Sequence, residues 1–258
     1  MAARSMMLFG AQGYVGGSIA ELAQAEGQEV HRVHSADFDF WGETNRWPWT
    51  TLQTRVDNLI LAASFEKPTV DGNMTLEKLK NRFKVLISNL KAKRIIFLST
   101  DAVFEGLNGP YGEENQTSPV TAYGRCKAAQ ERIVLQDASN GHVVRMSVVW
   151  GRGTTKADAR RERFLAQPER PLKGATNVFR SPISILALSQ AVVRMTREKE
   201  LPRTLHLATP RLSYFDFMHQ HLLYDHKDEL EHWIDRKYRT HDTSLKTQHP
   251  DLVRRLLL

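Results

Sequence analysis

A turn with three glycines near the start of the chain joins a short apolar segment to a helix-like one. Residues 6–9 predict a buried strand, and the residues after the turn have the apolar spacing of a helix. Between them, Gly10, Gly13 and Gly16 would let the backbone approach a pyrophosphate, which the helix dipole stabilises. A second strand is expected at residues 28–34. The order predicts a dinucleotide-binding βαβ unit, although a tight turn alone also explains the glycines.

The rest of the chain alternates between strand-like and helix-like segments. Strands are expected at residues 55–63, 94–98, 142–150 and 204–208, and helices at 75–90, 121–135 and 183–197. Such alternation predicts an α/β fold with a parallel sheet wrapped by helices. Residues 151–182 break the pattern with three prolines and many charges, so we expect a mobile lid or the start of a smaller lobe there.

A tyrosine and a lysine lie four residues apart on the helix expected at 121–135. Helical spacing places Lys127 one turn after Tyr123 on the same face, where its ammonium favours the phenolate. Ser99 and Thr100 end a predicted buried strand and offer hydroxyls beside this pair. Such a spacing alone is more often a chance pair on a solvated helix. Downstream of a glycine turn, it predicts the proton-donating part of a catalytic site.

The chain of 258 residues has a formal net charge of +7, which raises the question of nucleic acid. Basic residues concentrate within 152–173 and in the C-terminal tail. Acidic neighbours interrupt the first cluster, and no nucleic-acid module accompanies either. Simple solubility explains the charge best, an anionic small molecule comes next, and nucleic acid last. We therefore expect no nucleic-acid partner.

The sequence gives no sign of a membrane span, a leader or a metal site. No segment approaches the roughly 20 uninterrupted apolar residues that a span needs, and no cleavable leader opens the chain. Cys126 is the single cysteine, so no internal disulfide is expected. His219 and His221 are two residues apart and would point in different directions on a helix. We expect a cytoplasmic protein with no membrane partner and no metal.

The residues around these motifs resemble the extended short-chain dehydrogenase/reductase family, and more narrowly its dTDP-4-dehydrorhamnose reductase branch. The likeness is most specific in Leu98-Ser-Thr-Asp-Ala-Val-Phe-Glu-Gly106, then Pro110-Tyr111, Pro119 and Tyr123-Gly-Arg-Cys-Lys127. Shorter likenesses follow at residues 145–151, 180–184, 205–208, 213–217 and 240–245. The resemblance therefore covers nearly the whole chain.

The resemblance implies a Rossmann-like doubly wound parallel sheet with a small C-terminal substrate-binding lobe. An NAD(P)-binding domain would span residues 1–150, and a substrate-binding region interleaved with the last core elements would span 151–258. Tyr123 would be the general acid that protonates a keto oxygen as hydride arrives from the nicotinamide. Lys127 would hold the nicotinamide ribose, and Thr100 would polarise the substrate carbonyl.

The resemblance also implies binding residues for a cofactor and a nucleotide-sugar substrate. The cofactor would contact Gly10, Gln12, Gly13, Tyr14, Val15, Gly16, Ala62, Ala63, Ser64 and Lys127. The substrate would contact Ser99, Asp101, Trp150, Arg152 and Arg180, with Ser99 helping Thr100 at the carbonyl and Asp101 orienting rather than titrating. Arg160 and Arg161 are further candidates for its phosphates.

The end of the second predicted strand bears on the choice of cofactor. Enzymes that select NAD usually place Asp or Glu there, whereas this chain has Arg32 and His34. Either residue could pair with a 2′-phosphate, so we expect NADP, with NAD as the alternative. An ordinary solvent-facing arginine explains Arg32 equally well.

Together these inferences predict an NADPH-dependent reductase of a nucleotide-linked 4-keto sugar. One alternative is an NAD-dependent sugar-nucleotide epimerase or dehydratase, which uses the same tyrosine and lysine. Another is a regulatory subunit that binds the cofactor without turnover. A homodimer is left open, because the helices expected at 75–90 and 121–135 correspond to those that pair subunits in the family.

Overall fold

The computed structural model describes residues 4–34, 36, 38–65, 72–153, 158–236 and 241–258. Its strands are β1 Ser5–Phe9, β2 Glu29–Val33, β3 Val56–Leu61, β4 Ala92–Thr100, β5 Gly141–Met146, β6 Val149–Trp150, β7 Leu172–Ala175, β8 Phe179–Arg180, β9 Ile183–Ser184, β10 Thr204–His206, β11 Leu212–Ser213 and β12 Leu230–Trp233. Its α-helices are α1 Tyr14–Ala25, α2 Trp49–Leu52, α3 Gly72–Asn89, α4 Ala122–Asp137, α5 Ala159–Leu165, α6 Ile185–Met195, α7 Tyr214–Phe217 and α8 Pro250–Leu257.

Six of the strands form one parallel sheet in the order β10-β5-β4-β3-β1-β2. The chain runs outward from β1 to β2 and then returns to place β3 on the other side of β1. A crevice opens at such a reversal, beyond the carboxyl ends of the strands. The glycine turn follows β1 and therefore lies at that crevice.

Both faces of the sheet are covered, which explains why its central strands carry apolar residues on both faces. Along β1, Met6 and Leu8 pack with α1, α6 and α8, whereas Met7 and Phe9 pack with α3 and α4. This is the arrangement expected for a parallel sheet between two helical layers. The predicted Rossmann-like doubly wound fold is confirmed.

The C-terminal half contributes to the core and also builds a small separate lobe. Strand β10 and helices α6 and α8 complete the main sheet and one of its helical layers. The lobe has its own apolar core, in which Leu172 of β7 and Phe217 of α7 are buried. Strand β12 pairs with β7 there. The proposed boundary between residues 150 and 151 stays a prediction.

One predicted strand is corrected by the structure. Residues 142–150 were expected to form a single strand, but β5 ends at Met146, and β6 pairs instead with β9. The ladder stops because Met146 pairs with Thr100, the last residue of β4. The chain therefore leaves the sheet at Met146, beside the predicted catalytic residue Thr100. Residues 154–157, within the predicted lid, lie outside the described part of the chain.

Candidate functional site

A cleft of about 870 Å³ lies at the carboxyl ends of β1, β3, β4 and β5. It brings together most of the site residues expected from the sequence, although they come from four strand ends and two helices. These are Gly10, Gln12, Gly13, Tyr14, Val15, Gly16, His34, Ala62, Ala63, Ser64, Ser99, Thr100, Asp101, Tyr123 and Lys127. The lining also contains residues that the sequence did not single out, among them Ser147, Asp158 and Arg163.

Two glycines of the turn, Gly10 and Gly16, have no space for a side chain. Gly10 has φ +85°, and a Cβ there would lie 2.8 Å from the Ala63 backbone. A Cβ on Gly16 would lie 2.2 Å from the Gly10 carbonyl oxygen. Helix α1 has Gly13 as its N-cap, with no side-chain cap and no acidic residue in its first turn. A tight turn before a helix start of this kind fits a cofactor pyrophosphate.

The end of β2 carries an unsatisfied buried nitrogen. His34 lines the cleft, and its Nδ1 is buried without a hydrogen-bond partner among the described residues. Arg32 instead donates to Gln24 Oε1 on α1 at 2.6 Å, and it lies outside the described cleft lining. Asp39 accepts from the Trp41 backbone nitrogen at 2.9 Å, which fixes a local turn. Of the two predicted 2′-phosphate contacts, only His34 is thus at the cleft.

Tyr123 and Lys127 are held on the first turns of α4. The Thr121 side chain caps the helix by accepting from the Gly124 nitrogen at 3.0 Å. Gly124 packs so closely on the turn after β4 that a Cβ would lie 2.1 Å from the Ala102 carbonyl oxygen. Tyr123 is 44% exposed, whereas Lys127 is only 5% exposed.

The lysine ammonium lies between two aromatic rings. Lys127 Nζ is 4.9 Å from the centre of the Phe97 ring and 5.9 Å from that of Tyr123. A buried cation at this distance stabilises negative charge that develops on the phenol.

Thr100 and Asp101 form a linked pair at the end of β4. Thr100 Oγ1 accepts from the Ala102 nitrogen at 3.2 Å and donates to Asp101 Oδ1 at 3.2 Å. On the other carboxylate oxygen, Asp101 Oδ2 accepts from Ser147 Oγ at 2.6 Å and from Thr243 Oγ1 at 2.7 Å. The buried Asp101 is therefore oriented by hydroxyl groups from three separate segments.

Tyr14 connects the glycine turn to the segment after β6. Its hydroxyl donates to the Gly151 carbonyl oxygen at 2.6 Å, and the Gly151 nitrogen donates to Asp158 Oδ2 at 3.2 Å. Burial and the neighbouring Asp158 carboxylate raise the Tyr14 pKa well above its ordinary value. Tyr14 therefore stays protonated and acts as a donor. Arg160 lines the same side of the cleft and donates to the Val149 carbonyl at 3.0 Å.

Three expected substrate contacts lie outside the described lining of the cleft. Trp150 stacks on His221 with ring centres 4.6 Å apart in the small lobe. Arg152 is exposed in the loop after β6. Arg180 is buried, donates to the Phe179 carbonyl at 2.6 Å, and places its Nε 3.9 Å from Asp101 Oδ2. A further candidate, Arg161, forms an ion pair with Asp225 at 2.6 Å.

Two hydroxyl groups at the site, those of Ser147 and Thr243, were not expected from the sequence. Ser147 follows the last residue of β5, but the strand expected at 142–150 ran past it, so its position at a strand end was not visible in the sequence. Thr243 is separated from Asp101 by 142 residues; it lies in the segment 240–245 that resembles the reductase branch, but the resemblance assigned it no role. Among the described residues, no group of three or more His, Cys, Asp or Glu could hold a metal ion. No helix in that part of the chain is long and apolar enough to cross a membrane.

Known proteins match this chain in fold over nearly its whole length, and more closely in sequence over one short segment. A family model described as the RmlD substrate binding domain matches residues 4–231. A dTDP-4-dehydrorhamnose reductase from Bacillus anthracis, solved in complex with NADP, has a TM-score of 0.74 at 18% identity, covering 99% of this chain and 94% of that one. At this identity the likeness concerns the fold.

Curated relatives match over a short stretch. A dTDP-4-keto-6-deoxy-D-glucose reductase of Streptomyces niveus is 46% identical over 61 residues, which is 23% of this chain and 21% of that protein. Methionine adenosyltransferase 2 subunit beta of Danio rerio is 39% identical over 57 residues, which is 22% of this chain and 18% of that protein. The matching segment thus spans about a fifth of each relative.

Proposed function

This chain belongs to the family of the RmlD substrate binding domain, and we propose that it is an NADPH-dependent reductase of a nucleotide-linked 4-keto sugar. One observation carries the proposal. Thr100, Tyr123 and Lys127 line the same cleft as the glycine turn from Gly10 to Gly16. A proton-donating group and a dinucleotide cradle are thereby within one cavity, as hydride reduction requires.

The residues divide the chemistry among them. NADPH supplies the hydride when it is bound. Tyr123 donates its phenolic proton to the carbonyl oxygen of the substrate, and the Lys127 ammonium stabilises the charge left on the phenol. Thr100 gives its hydroxyl hydrogen to Asp101 Oδ1 at 3.2 Å in the structure, and it would turn this hydrogen to the same carbonyl oxygen when the substrate is bound. Asp101 orients Thr100, because its oxygens accept hydrogen bonds from Thr100 and from two other hydroxyls.

NADP is the proposed cofactor, with NAD as the alternative. The buried His34 Nδ1 lacks a partner within the described chain, and a phosphate oxygen would satisfy it. The structure named for Bacillus anthracis was solved with NADP, which supports the same choice. Arg32 would have to leave Gln24 to contribute.

A nucleoside diphosphate is the proposed carrier of the sugar. Arg160 and Arg163 line the cleft and supply positive charge to a diphosphate. Their position favours them over Trp150, Arg152 and Arg180 as direct contacts. Arg180 would act indirectly, through Asp101.

The test is to incubate the protein with NADPH and a set of nucleotide-linked 4-keto sugars while following the absorbance of the reduced cofactor. Reduction consumes one NADPH for each sugar converted. A dehydratase or epimerase would convert the sugar without net consumption of NADPH. Product analysis by mass spectrometry separates these outcomes, because only reduction adds two hydrogens.

A second candidate function is that of a subunit that binds NADP without turnover. The likeness to methionine adenosyltransferase 2 subunit beta favours it, since that relative is named as a subunit. A cleft that retains Thr100, Tyr123 and Lys127 argues for turnover instead. Tight NADPH binding with no conversion of any keto sugar would support the subunit role.

Location and assembly are part of the same proposal. In the cytoplasm the protein would have access to both NADPH and nucleotide sugars. Helices α3 and α4 pack side by side, and their outer surface is where a second copy would pair. Light scattering of the purified protein tests for such a homodimer.

A further inference from the structure

A buried chain of polar groups begins at Ser99 in the cleft. Ser99 Oγ lies 2.5 Å from Glu131 Oε1, and both side chains are nearly inaccessible to solvent. Glu131 is paired in turn with Arg145, whose Nη2 is 2.8 Å from Glu131 Oε2 and whose Nε contacts both carboxylate oxygens. The register of the sheet places Ser99 directly opposite Arg145 on the neighbouring strand.

The pairing with Arg145 determines which way the Ser99 hydroxyl points. A guanidinium is always protonated in proteins, so its bidentate partner Glu131 is a carboxylate. A carboxylate accepts hydrogen bonds and cannot donate them. Ser99 must therefore give its single hydroxyl hydrogen to Glu131. Only lone pairs of Ser99 Oγ remain for a ligand.

At the other end of this series of hydrogen-bonded groups, the donor and acceptor roles are fixed as well. Arg145 Nη1 lies 3.2 Å from His206 Nε2, and His206 Nδ1 lies 3.0 Å from the Lys246 carbonyl oxygen. A carbonyl oxygen only accepts, so Nδ1 carries the hydrogen and Nε2 accepts from Arg145. Burial lowers the pKa of His206 to about 4, which keeps the ring in this neutral form. Arg145 is thus held on both sides, and it holds Glu131 in place.

Because Ser99 gives its hydroxyl hydrogen to Glu131, it cannot polarise a ketone. The carbonyl oxygen of a substrate needs a donor. The Ser99 hydroxyl is held to Glu131 by a buried hydrogen bond of 2.5 Å, whereas the Thr100 hydroxyl is held to Asp101 by a longer, partly buried one of 3.2 Å, so Thr100 is the residue that can release its hydrogen to the substrate. A 4-keto pyranose also carries a hydroxyl group on C3, next to its carbonyl carbon, and this hydroxyl can donate. Ser99 lines the cleft beside Thr100, the proposed carbonyl donor.

We propose that Ser99 is a specificity-determining residue that accepts a hydrogen bond from a sugar hydroxyl next to the carbonyl carbon. Glu131 and Arg145 are positioning residues that direct the Ser99 hydrogen away from the substrate. The inference rests on the proposed substrate class. It replaces the sequence-based expectation that Ser99 helps Thr100 at the carbonyl.

The test compares two ligands that differ by one hydroxyl. Equilibrium binding to the complex with NADP is measured for dTDP-4-keto-6-deoxy-D-glucose and for its 3-deoxy counterpart. We expect the wild type to prefer the hydroxyl-bearing sugar by about tenfold, and Ser99→Ala to lose that preference. The matched control is Thr100→Val, which removes the adjacent hydroxyl and weakens both ligands alike. An unchanged preference in Ser99→Ala, or an equal loss with both sugars, would overturn the assignment.

A double variant tests the positioning residues. Glu131→Gln combined with Arg145→Gln removes both charges together, so that neither is left buried without its partner. An amide at position 131 can donate as well as accept, which frees the Ser99 hydrogen. We expect the preference for the hydroxyl-bearing sugar to fall several-fold. A full preference in the folded double variant would show that Glu131 and Arg145 do not set the direction of the hydroxyl.

The outcome is independent of turnover. If the protein prefers the hydroxyl-bearing sugar but consumes no NADPH, the role of Ser99 stands and the proposed reductase activity is excluded. If the protein consumes NADPH but shows no preference between the two sugars, the reductase activity stands and the role of Ser99 is excluded.

Discussion

Thr243 Oγ1 donates a hydrogen bond to Asp101 Oδ2 at 2.7 Å, although 142 residues separate the two in the chain. The segment around Thr243 therefore holds Asp101, a residue of the cleft lining, from a distant part of the sequence. Ser147 donates to the same oxygen at 2.6 Å, so Asp101 is fixed from two sides. The other oxygen of Asp101 is then directed at Thr100.

Loss of the Thr243 hydroxyl is expected to slow catalysis without changing the fold. In Thr243→Val, Asp101 Oδ2 keeps Ser147 but loses one of its two hydroxyl donors, and Thr100 is held less well. We expect kcat for the keto sugar to fall about tenfold. Thr243→Ser keeps the hydroxyl and should restore most of the rate. Equal rates in the valine and serine variants would contradict a positioning role for Thr243.

The glycine turn should show a graded response to added methyl groups. Gly16→Ala would place a Cβ 2.2 Å from the Gly10 carbonyl oxygen, whereas Gly13→Ala would place one 3.1 Å from the same atom. We expect NADPH binding to weaken at least 100-fold in the first variant and much less in the second. Fluorescence titration of NADPH measures both. Similar affinities in the two variants would show that the cofactor does not depend on this close approach.

His34 should determine the preference between the two dinucleotides. If its buried Nδ1 contacts the 2′-phosphate, His34→Ala weakens NADPH binding about tenfold and leaves NADH binding nearly as it was. His31→Ala is the matched control, because His31 lies on the same strand and pairs with Glu29 at the surface. The ratio of the two dissociation constants is the measurement. A ratio that does not change in His34→Ala would remove His34 from cofactor selection.

Stability should decline in mild acid because of His206. Its folded pKa of about 4 lies below the ordinary value of 6.5. Between these values the unfolded chain binds the extra proton, so the free energy of unfolding falls as pH drops below about 6.5. His206 should account for about 2 kcal/mol of this fall between pH 6.5 and 5.

Denaturant unfolding at several pH values measures this dependence. His206→Gln can still accept from Arg145 and donate to the Lys246 carbonyl, and it should flatten the pH dependence. His221→Gln is the control, since His221 is only half-buried and should remove less of the slope. An unaltered slope in His206→Gln would contradict a neutral buried ring.

Local patterns in the sequence predicted the sheet and the cofactor side of the cleft. The first five strands and the tenth follow from apolar runs, and the position of the glycine turn follows from its place after β1. These features depend on residues close together in the chain. The predicted ends of strands and helices were less accurate. The strand expected at 142–150 is split into β5 and β6, because the partner strand decides where pairing stops.

The substrate side depends on contacts between distant segments. Strand β12 and helix α8 were not expected, since neither belongs to the alternation that predicted the core. The direction of the Ser99 hydroxyl follows from Glu131 and Arg145, and no spacing rule reports it. Thr243 reaches Asp101 only after the chain has folded around the lobe.

The central claim is that Tyr123 protonates a keto sugar reduced by NADPH. Its most direct test is the kcat of Tyr123→Phe with the best 4-keto nucleotide sugar, measured by NADPH absorbance. The account predicts a fall of at least 100-fold, because the general acid is removed while the cleft keeps its shape. Tyr224→Phe makes the same change at an exposed tyrosine and should keep the wild-type rate. Undiminished turnover in Tyr123→Phe would contradict the account.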